Sequence, residues 1–210
     1  MINVMIVEDQ KMIRNLLEGC VNRDSNLSLA ASVAAASQAP EICDTKQIDL
    51  IFMDVQTEHR ENGLTAVKII KQKYPNIKII VITSLVDIDV LKKAKQYGAD
   101  SLWYKEFYDE ALTDIVKRTM NGEHIFPDAP PVVEIGTAKS TEFTKTELIV
   151  LRYLVRGLSY GKIAKEMGIE VTTVKYHVTN MLQKTNFENK LQLALAVSNE
   201  KLIAELIDIY

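Results

Sequence analysis

Four apolar runs rich in Ile and Val (Ile2–Val7, Ile48–Met53, Lys78–Ile82 and Ser101–Tyr104) are separated by segments of helical periodicity, and this alternation is the feature that most restricts the fold. The helical patterns cover Lys11–Val21, Gly63–Lys73, Asp87–Gln96 and Tyr108–Met120, with a weaker strand at Leu27–Val33 and a short helix at Gln38–Asp44. Five strands alternating with five helices predict an α/β domain with a doubly wound, five-stranded parallel sheet over residues 1–120. In such a sheet ligands bind beyond the carboxyl ends of the strands. The chemistry is therefore to be sought where the apolar runs stop.

The first predicted strand stops at Glu8-Asp9 and the third at Asp54. Three carboxylates at one rim repel each other unless a cation intervenes, and hard oxygen donors with room left for phosphate and water suit Mg²⁺. The fourth predicted strand ends in Thr83-Ser84 and the fifth leads to Lys105, adding a hydroxyl donor and a cation. Together these residues predict a phosphoryl-accepting site, in which Asp54 attacks and Thr83 and Lys105 hold the product oxygens.

From Gly122 to Ser140 the chain contains Pro127, Pro130, Pro131 and Gly136 without periodicity, and 121–140 reads as a linker. Beyond it only helical patterns follow, so 141–210 is predicted as a small all-α domain. Thr144-Lys145-Thr146-Glu147 fits a capping box, ahead of Leu148, Leu151, Leu154, Val155 and Leu158 on one face. Gly157 should end that helix, Ser159 cap a second carrying Ile163, Ala164 and Met167, and Gly168 allow the turn to a third. In the third helix Val174, Val178, Met181 and Leu182 share the inner face. The outer face presents Thr172, Lys175, Tyr176, Thr179 and Gln183, a set able to enter a DNA major groove, with Thr172 and Thr173 near phosphates at the helix start.

The net charge of −3 argues against DNA binding until it is divided along the chain. Residues 1–120 and 121–140 each carry −2, 141–187 carry +3, and the last 23 residues −2. The basic excess coincides with the predicted helix-turn-helix. The longest apolar stretch, Ile77–Ile82, is broken by Lys78 and is too short for a membrane span. Met1–Val7 lacks a basic start and runs into acidic residues, so a cytoplasmic protein without membrane contact is expected. Cys20 and Cys43 have no CxxC or Cys/His grouping and read as reduced core thiols.

Residues 1–120 resemble a response-regulator receiver domain, with flavodoxin-like topology. The resemblance implies that Glu8 and Asp9 are the acidic pair, Asp54 the phosphorylated residue, Thr83 the switch hydroxyl and Lys105 the family lysine, with the Gln56 backbone carbonyl as a further metal ligand. Two features depart from the family. Leu102 stands where an aromatic usually precedes the lysine by three positions, and the loop Val55 to Gly63 lacks Met-Pro and is one residue longer. Phe143 through Thr185, with Thr144, Glu147, Gly157-Leu158-Ser159, Ile163-Ala164, Thr173-Val174-Lys175, His177-Val178, Met181-Leu182 and Lys184, is similar to the LuxR-type output domain of the NarL/FixJ family. That similarity implies base contacts from Lys175, Tyr176 and Thr179 and backbone contacts around Thr172 and Thr173. Glu170 takes the place of a capping Ser, and Thr179 that of a frequent Lys.

The function expected is a two-component response regulator, phosphorylated on Asp54 by a sensor histidine kinase and binding promoter DNA as a homodimer. An alternative retains DNA binding but dispenses with phosphorylation. Phosphatases of the haloacid dehalogenase type also pair an Asp nucleophile with Mg²⁺, but they need a second Asp where Gln56 stands, so no enzyme is expected.

Overall fold

The computed structural model describes residues 1–105 and 112–203 and divides them into two units, one of Met1–Ser84 with Ile88–Ala129 and one of Leu85–Asp87 with Pro130 onward. The predicted residues Tyr108 to Ala111, Leu206 and Ile207 lie outside the described residues.

The first unit follows the predicted alternation. In chain order it contains β1 (Ile2–Val7), α1 (Lys11–Arg23), β2 (Leu27–Val33), α2 (Gln38–Thr45), β3 (Leu50–Asp54), β4 (Gln56–Thr57), β5 (Glu61–Asn62), α3 (Gly63–Lys73), β6 (Lys78–Thr83), α4 (Ile88–Gln96), β7 (Ser101–Tyr104) and α5 (Leu112–Met120). The sheet is parallel, in the order β2-β1-β3-β6-β7. Every residue of β3 is buried, as expected of a central strand covered on both faces. Val4, Ile6, Leu50, Phe52, Ile80 and Ile82 form one core face, closed by Leu17 and Val21 of α1 and Ile115 and Val116 of α5. Burial pushes the Cys43 thiol up to about 11, consistent with an inert core thiol.

One acidic residue at the opposite rim of the sheet is structural. Asp100, almost wholly buried, accepts from Lys71 Nζ at 2.9 Å, Lys78 Nζ at 3.0 Å and the Ile79 amide at 2.9 Å. Burial works against its charge, but the two lysines and the amide outweigh that and hold its carboxyl below the usual range.

The second unit contains β8 (Glu134–Ile135), β9 (Ala138–Lys139), α6 (Lys145–Val155), α7 (Tyr160–Met167), α8 (Val171–Thr185) and α9 (Lys190–Asn199). The Thr144 capping box is formed: its hydroxyl accepts the Glu147 amide and the Glu147 carboxylate accepts the Thr144 amide. Gly157 and Gly168 take the positive φ angles their turns require, +78° and +64°. The α6 stripe is wider than the sequence suggested. Val150, Leu151, Tyr153 and Leu154 are all buried, because α6 is wrapped by α8 and α9 rather than lying on one neighbour.

The 121–140 linker requires correction. Ile125 donates nothing to a linker's freedom: its carbonyl accepts the Leu102 amide at the edge of β7, and Arg118 pairs with Glu123. From Pro130 the chain already belongs to the second unit, where Val133, Ile135 and Ala138 are buried in its core. Two-residue strands are too short to show a period of two, so a proline-rich stretch masked them.

Replacement of Asp100 by Asn should destabilise the first unit by about 2–3 kcal/mol at pH 7, since it strands partly buried ammonium groups. Because the folded carboxyl is held below its ordinary value, this contribution is present above pH 4 and lost as pH falls through the folded pKa. Trp103, the chain's single tryptophan and a residue of β7, reports the first unit's melting by fluorescence; equal melting temperatures for the two proteins at pH 7 would contradict the assignment.

Candidate functional site

Parallel pairing sets Val7 of β1 beside Met53 of β3, and Asp54 beside Ile82 of β6, so the next residues of each strand emerge at one rim. Glu8, Asp9 and Asp54 each present a carboxylate oxygen there, all within 4.8 Å of one another. Thr83 ends β6 opposite Tyr104, and Lys105 follows, its amide donating to the Thr83 carbonyl at 3.0 Å. The five residues predicted from strand ends are thus assembled at one place. The Lys105 ammonium lies 2.5 Å from Glu8 Oε2 and 3.0 Å from Asp54 Oδ2, bridging the two carboxylates.

The site is largely buried: Glu8 is fully buried, Asp54 is 5% exposed and Asp9 is half-buried. Burial pushes the Asp54 carboxyl up to about 7; Lys105 works against this shift and Glu8 reinforces it. For Lys105 burial opposes the charge, but Asp54 and Glu8 outweigh it and its pKa is raised. One ammonium is shared between two acids, so Lys105 offsets only part of what burial does to Asp54.

The oxygen set fits a small hard dication. Three carboxylates at one rim match the preference of Mg²⁺ for oxygen ligands and retained water.

Sequence reasoning missed two features of the rim. Arg14 of α1 donates to the Glu8 carbonyl at 2.7 Å, tying the acidic pair to the helix. The unusual loop after Asp54 is a hairpin: Gln56 pairs with Asn62 and Thr57 with Glu61, around a turn with His59 at φ +59°. The buried Thr57 hydroxyl accepts the Ala36 amide at 3.1 Å, and Glu61 Oε2 accepts the Ser37 amide at 2.7 Å. Gln56, the expected carbonyl ligand, therefore sits on a hairpin strand, and His59 is exposed beside Glu58. The threonine and glutamate flanking the loop were the available signal. Leu102 is fully buried in β7, as is Tyr104.

In the second unit α7 and α8 form the helix-turn-helix. Val174, Val178 and Met181 are buried, while Thr172, Thr173, Lys175, Tyr176, Thr179 and Gln183 are exposed on the opposite face, as their spacing predicted. Tyr176 is 63% exposed, with its ring edge-on to that of His177 at 5.7 Å between centroids. Glu170 forms no side-chain cap on α8. Lys184 Nζ reaches both Glu147 oxygens, at 2.7 and 2.9 Å, and the Glu142 carbonyl at 3.0 Å, joining the end of α8 to the start of α6.

Comparison with known proteins adds relatives along nearly the whole chain. Residues 4–117 match the response regulator receiver domain, and 141–197 match the LuxR family of bacterial regulatory proteins. The response regulator protein VraR of Staphylococcus aureus (strain Mu3) is 28% identical over 207 residues, covering 96% of this chain and 99% of the relative. VraR of Staphylococcus saprophyticus is 26% identical over 208 residues, with the same coverage. Among solved structures, RcsB of Salmonella enterica serovar Typhimurium, bound to promoter rprA in the presence of the phosphomimetic BeF3⁻, is similar in fold. Its TM-score is 0.60 at 18% identity, over 94% of this chain and 98% of that one. Among the described residues no helix is long and apolar enough to cross a membrane. With a receiver and a LuxR-type domain in one chain, this protein belongs to the two-component response regulators of the NarL/FixJ type.

Proposed function

We propose that this response regulator is controlled by phosphorylation of Asp54 by a sensor histidine kinase, and that the phosphorylated form binds double-stranded promoter DNA as a homodimer in the cytoplasm. One observation carries the reading: Glu8, Asp9, Asp54 and Lys105 converge at the carboxyl rim of a parallel sheet, with Asp54 buried, acidic and bridged to the lysine.

In the proposed transfer an Asp54 carboxylate oxygen forms the new O–P bond while the N–P bond of a kinase phosphohistidine breaks. The departing pair remains on the imidazole nitrogen, which takes a proton from solvent. Glu8, Asp9 and Asp54, with the Gln56 carbonyl, would hold Mg²⁺, which when bound would supply charge compensation for the phosphoryl oxygens. The Asp54 oxygen that reacts is the one facing Lys105, since Oδ1 accepts the Val55 amide at 2.7 Å and is held by the backbone. Lys105 and the Thr83 hydroxyl are donors for the product oxygens.

On the DNA side, Lys175, Tyr176 and Thr179 face the bases of the major groove, and Thr172 and Thr173 bring the start of α8 to the phosphates. Similarity to RcsB, whose structure was solved on promoter DNA, supports this placement of the helix-turn-helix.

Asp54→Asn should abolish the phosphoryl mass gain seen with Mg²⁺ and a small acyl-phosphate donor, together with any shift to dimer and any gain in DNA affinity. If the variant binds DNA as tightly as the phosphorylated wild type, the alternative of control without phosphorylation is correct. The raised Asp54 pKa has a signed consequence. The carboxyl stays protonated in the fold up to about pH 7 but ionises near its ordinary 3.8 when unfolded. Metal-free stability should therefore fall as pH rises from about 4 to 7, Asp54→Asn should flatten that slope, and Mg²⁺ should raise the melting temperature more at pH 8 than at pH 5. An Mg²⁺ effect independent of pH, or unaltered in the variant, would contradict the site. Lys175→Ala should lower affinity for a selected duplex by about 1–3 kcal/mol in a titration, and loss of affinity equal on all sequences would make Lys175 a phosphate contact instead.

A further inference from the structure

The hairpin of β8 and β9 lies before the segment matched by the LuxR family, which begins at residue 141, and no role in the DNA-reading surface follows from that family resemblance. Its position gives it one. Glu134 pairs with Lys139 and Ile135 with Ala138, and the base is closed by the Ser140 amide on the Val133 carbonyl at 2.8 Å. Val133, Ile135 and Ala138 anchor it in the helical core. The two-residue turn, Gly136-Thr137, has its glycine at φ +63° and rests on the C-terminal end of α8.

That end has carbonyls without partners inside the helix. Two are taken by a single turn residue: the Thr137 amide donates to the Thr185 carbonyl at 3.2 Å, and the Thr137 hydroxyl donates to the Lys184 carbonyl at 2.8 Å. Gly136 makes this approach possible. A Cβ there would stand 2.1 Å from the Thr185 carbonyl oxygen and 3.1 Å from Phe187, so any side chain must displace helix or hairpin. On the other side Lys184 holds the same turn of α8 to Glu147 and Glu142.

We propose that this hairpin is a positioning element for the recognition helix, with Gly136 and Thr137 its positioning residues, so that a segment outside the helix-turn-helix sets the pose from which α8 reads DNA. The inference rests on the DNA-binding reading above. Thr172 lies thirteen residues before Thr185, roughly 20 Å along the helix at 1.5 Å per residue. Relieving the overlap requires a displacement of about 1 Å, and recognition groups must be held within roughly 0.5 Å to keep directional hydrogen bonds. The reading residues lie toward the other end of α8 and inherit the hairpin's placement through a rigid lever buried at Val174, Val178 and Met181.

The test uses the full-length protein with Mg²⁺ and a small acyl phosphate, and a duplex enriched by the wild type from a random-sequence pool, against a scrambled duplex of equal length. Gly136→Ala should reduce the ratio of the two affinities about tenfold and Thr137→Val, nearly isosteric, about threefold. Gly157→Ala is the control: it also places Ala at positive φ, +78°, but meets nothing within 4 Å, and it should leave the ratio within about twofold at a comparable melting temperature. The hairpin is merely a stabilising cover if Gly136→Ala and Gly157→Ala shift the ratio equally. Should Gly136→Ala fail to fold, Thr137→Val decides alone, an unchanged ratio overturning the proposal. A wild type that enriches no sequence defeats the DNA-binding reading itself, a different result from equal ratios among variants.

Discussion

The shared ammonium of Lys105 is the interaction on which the first unit's chemistry depends. Without it Glu8 and Asp54 would be two buried acids facing each other, and at least one would have to take up a proton. With it both stay close, at the cost of an acid that is only partly compensated. This arrangement suits a group meant to react: the carboxylate is held, buried and short of positive charge. A dication or a phosphoryl group arriving at the rim therefore finds an electrostatic deficit already in place, and Lys105 free to exchange one anionic partner for another.

The parallel sheet makes that arrangement possible and legible. Because all five strands run the same way, residues far apart in sequence leave the sheet at one rim, and reading where apolar runs stop was enough to collect Glu8, Asp9, Asp54, Thr83 and Lys105. The inner and outer faces of α8 were legible for a similar reason, since a 3.6-residue period separates Val174, Val178 and Met181 from Lys175, Tyr176 and Thr179 without knowledge of their neighbours. The shared ammonium was not legible. Charge pairing depends on side-chain reach across strands, and nothing in the spacing of Glu8 and Lys105 says which of three carboxylates the lysine joins.

What escaped the sequence reading has a common physical cause. Both hairpins are built of two-residue strands, below the length at which alternation can be seen, and their stability comes from bonds to other segments rather than from their own pattern. Thr57 and Glu61 bind the amides of Ala36 and Ser37, more than twenty residues earlier, and Thr137 binds carbonyls nearly fifty residues later. The charged residues of the first loop and the prolines of the second are the signals that normally mark solvated chain. In each case a threonine whose hydroxyl is consumed by backbone outweighed that composition.

These hairpins also place order where each unit acts. One follows the phosphoacceptor directly and is pinned on its far side, so the extra residue after Asp54 lengthens the wall of the site without loosening it. The other finishes the recognition helix, supplying donors that the helix cannot provide for its own last carbonyls. A helix presented to DNA must keep its outer face bare, so its restraint has to come from its inner face and its ends. Glu170 contributes no side-chain cap at the start of α8, where phosphate is expected to approach and where a carboxylate would oppose it. The burden of fixing the helix therefore falls on its C-terminal end, where Thr137, Lys184 and Glu147 converge.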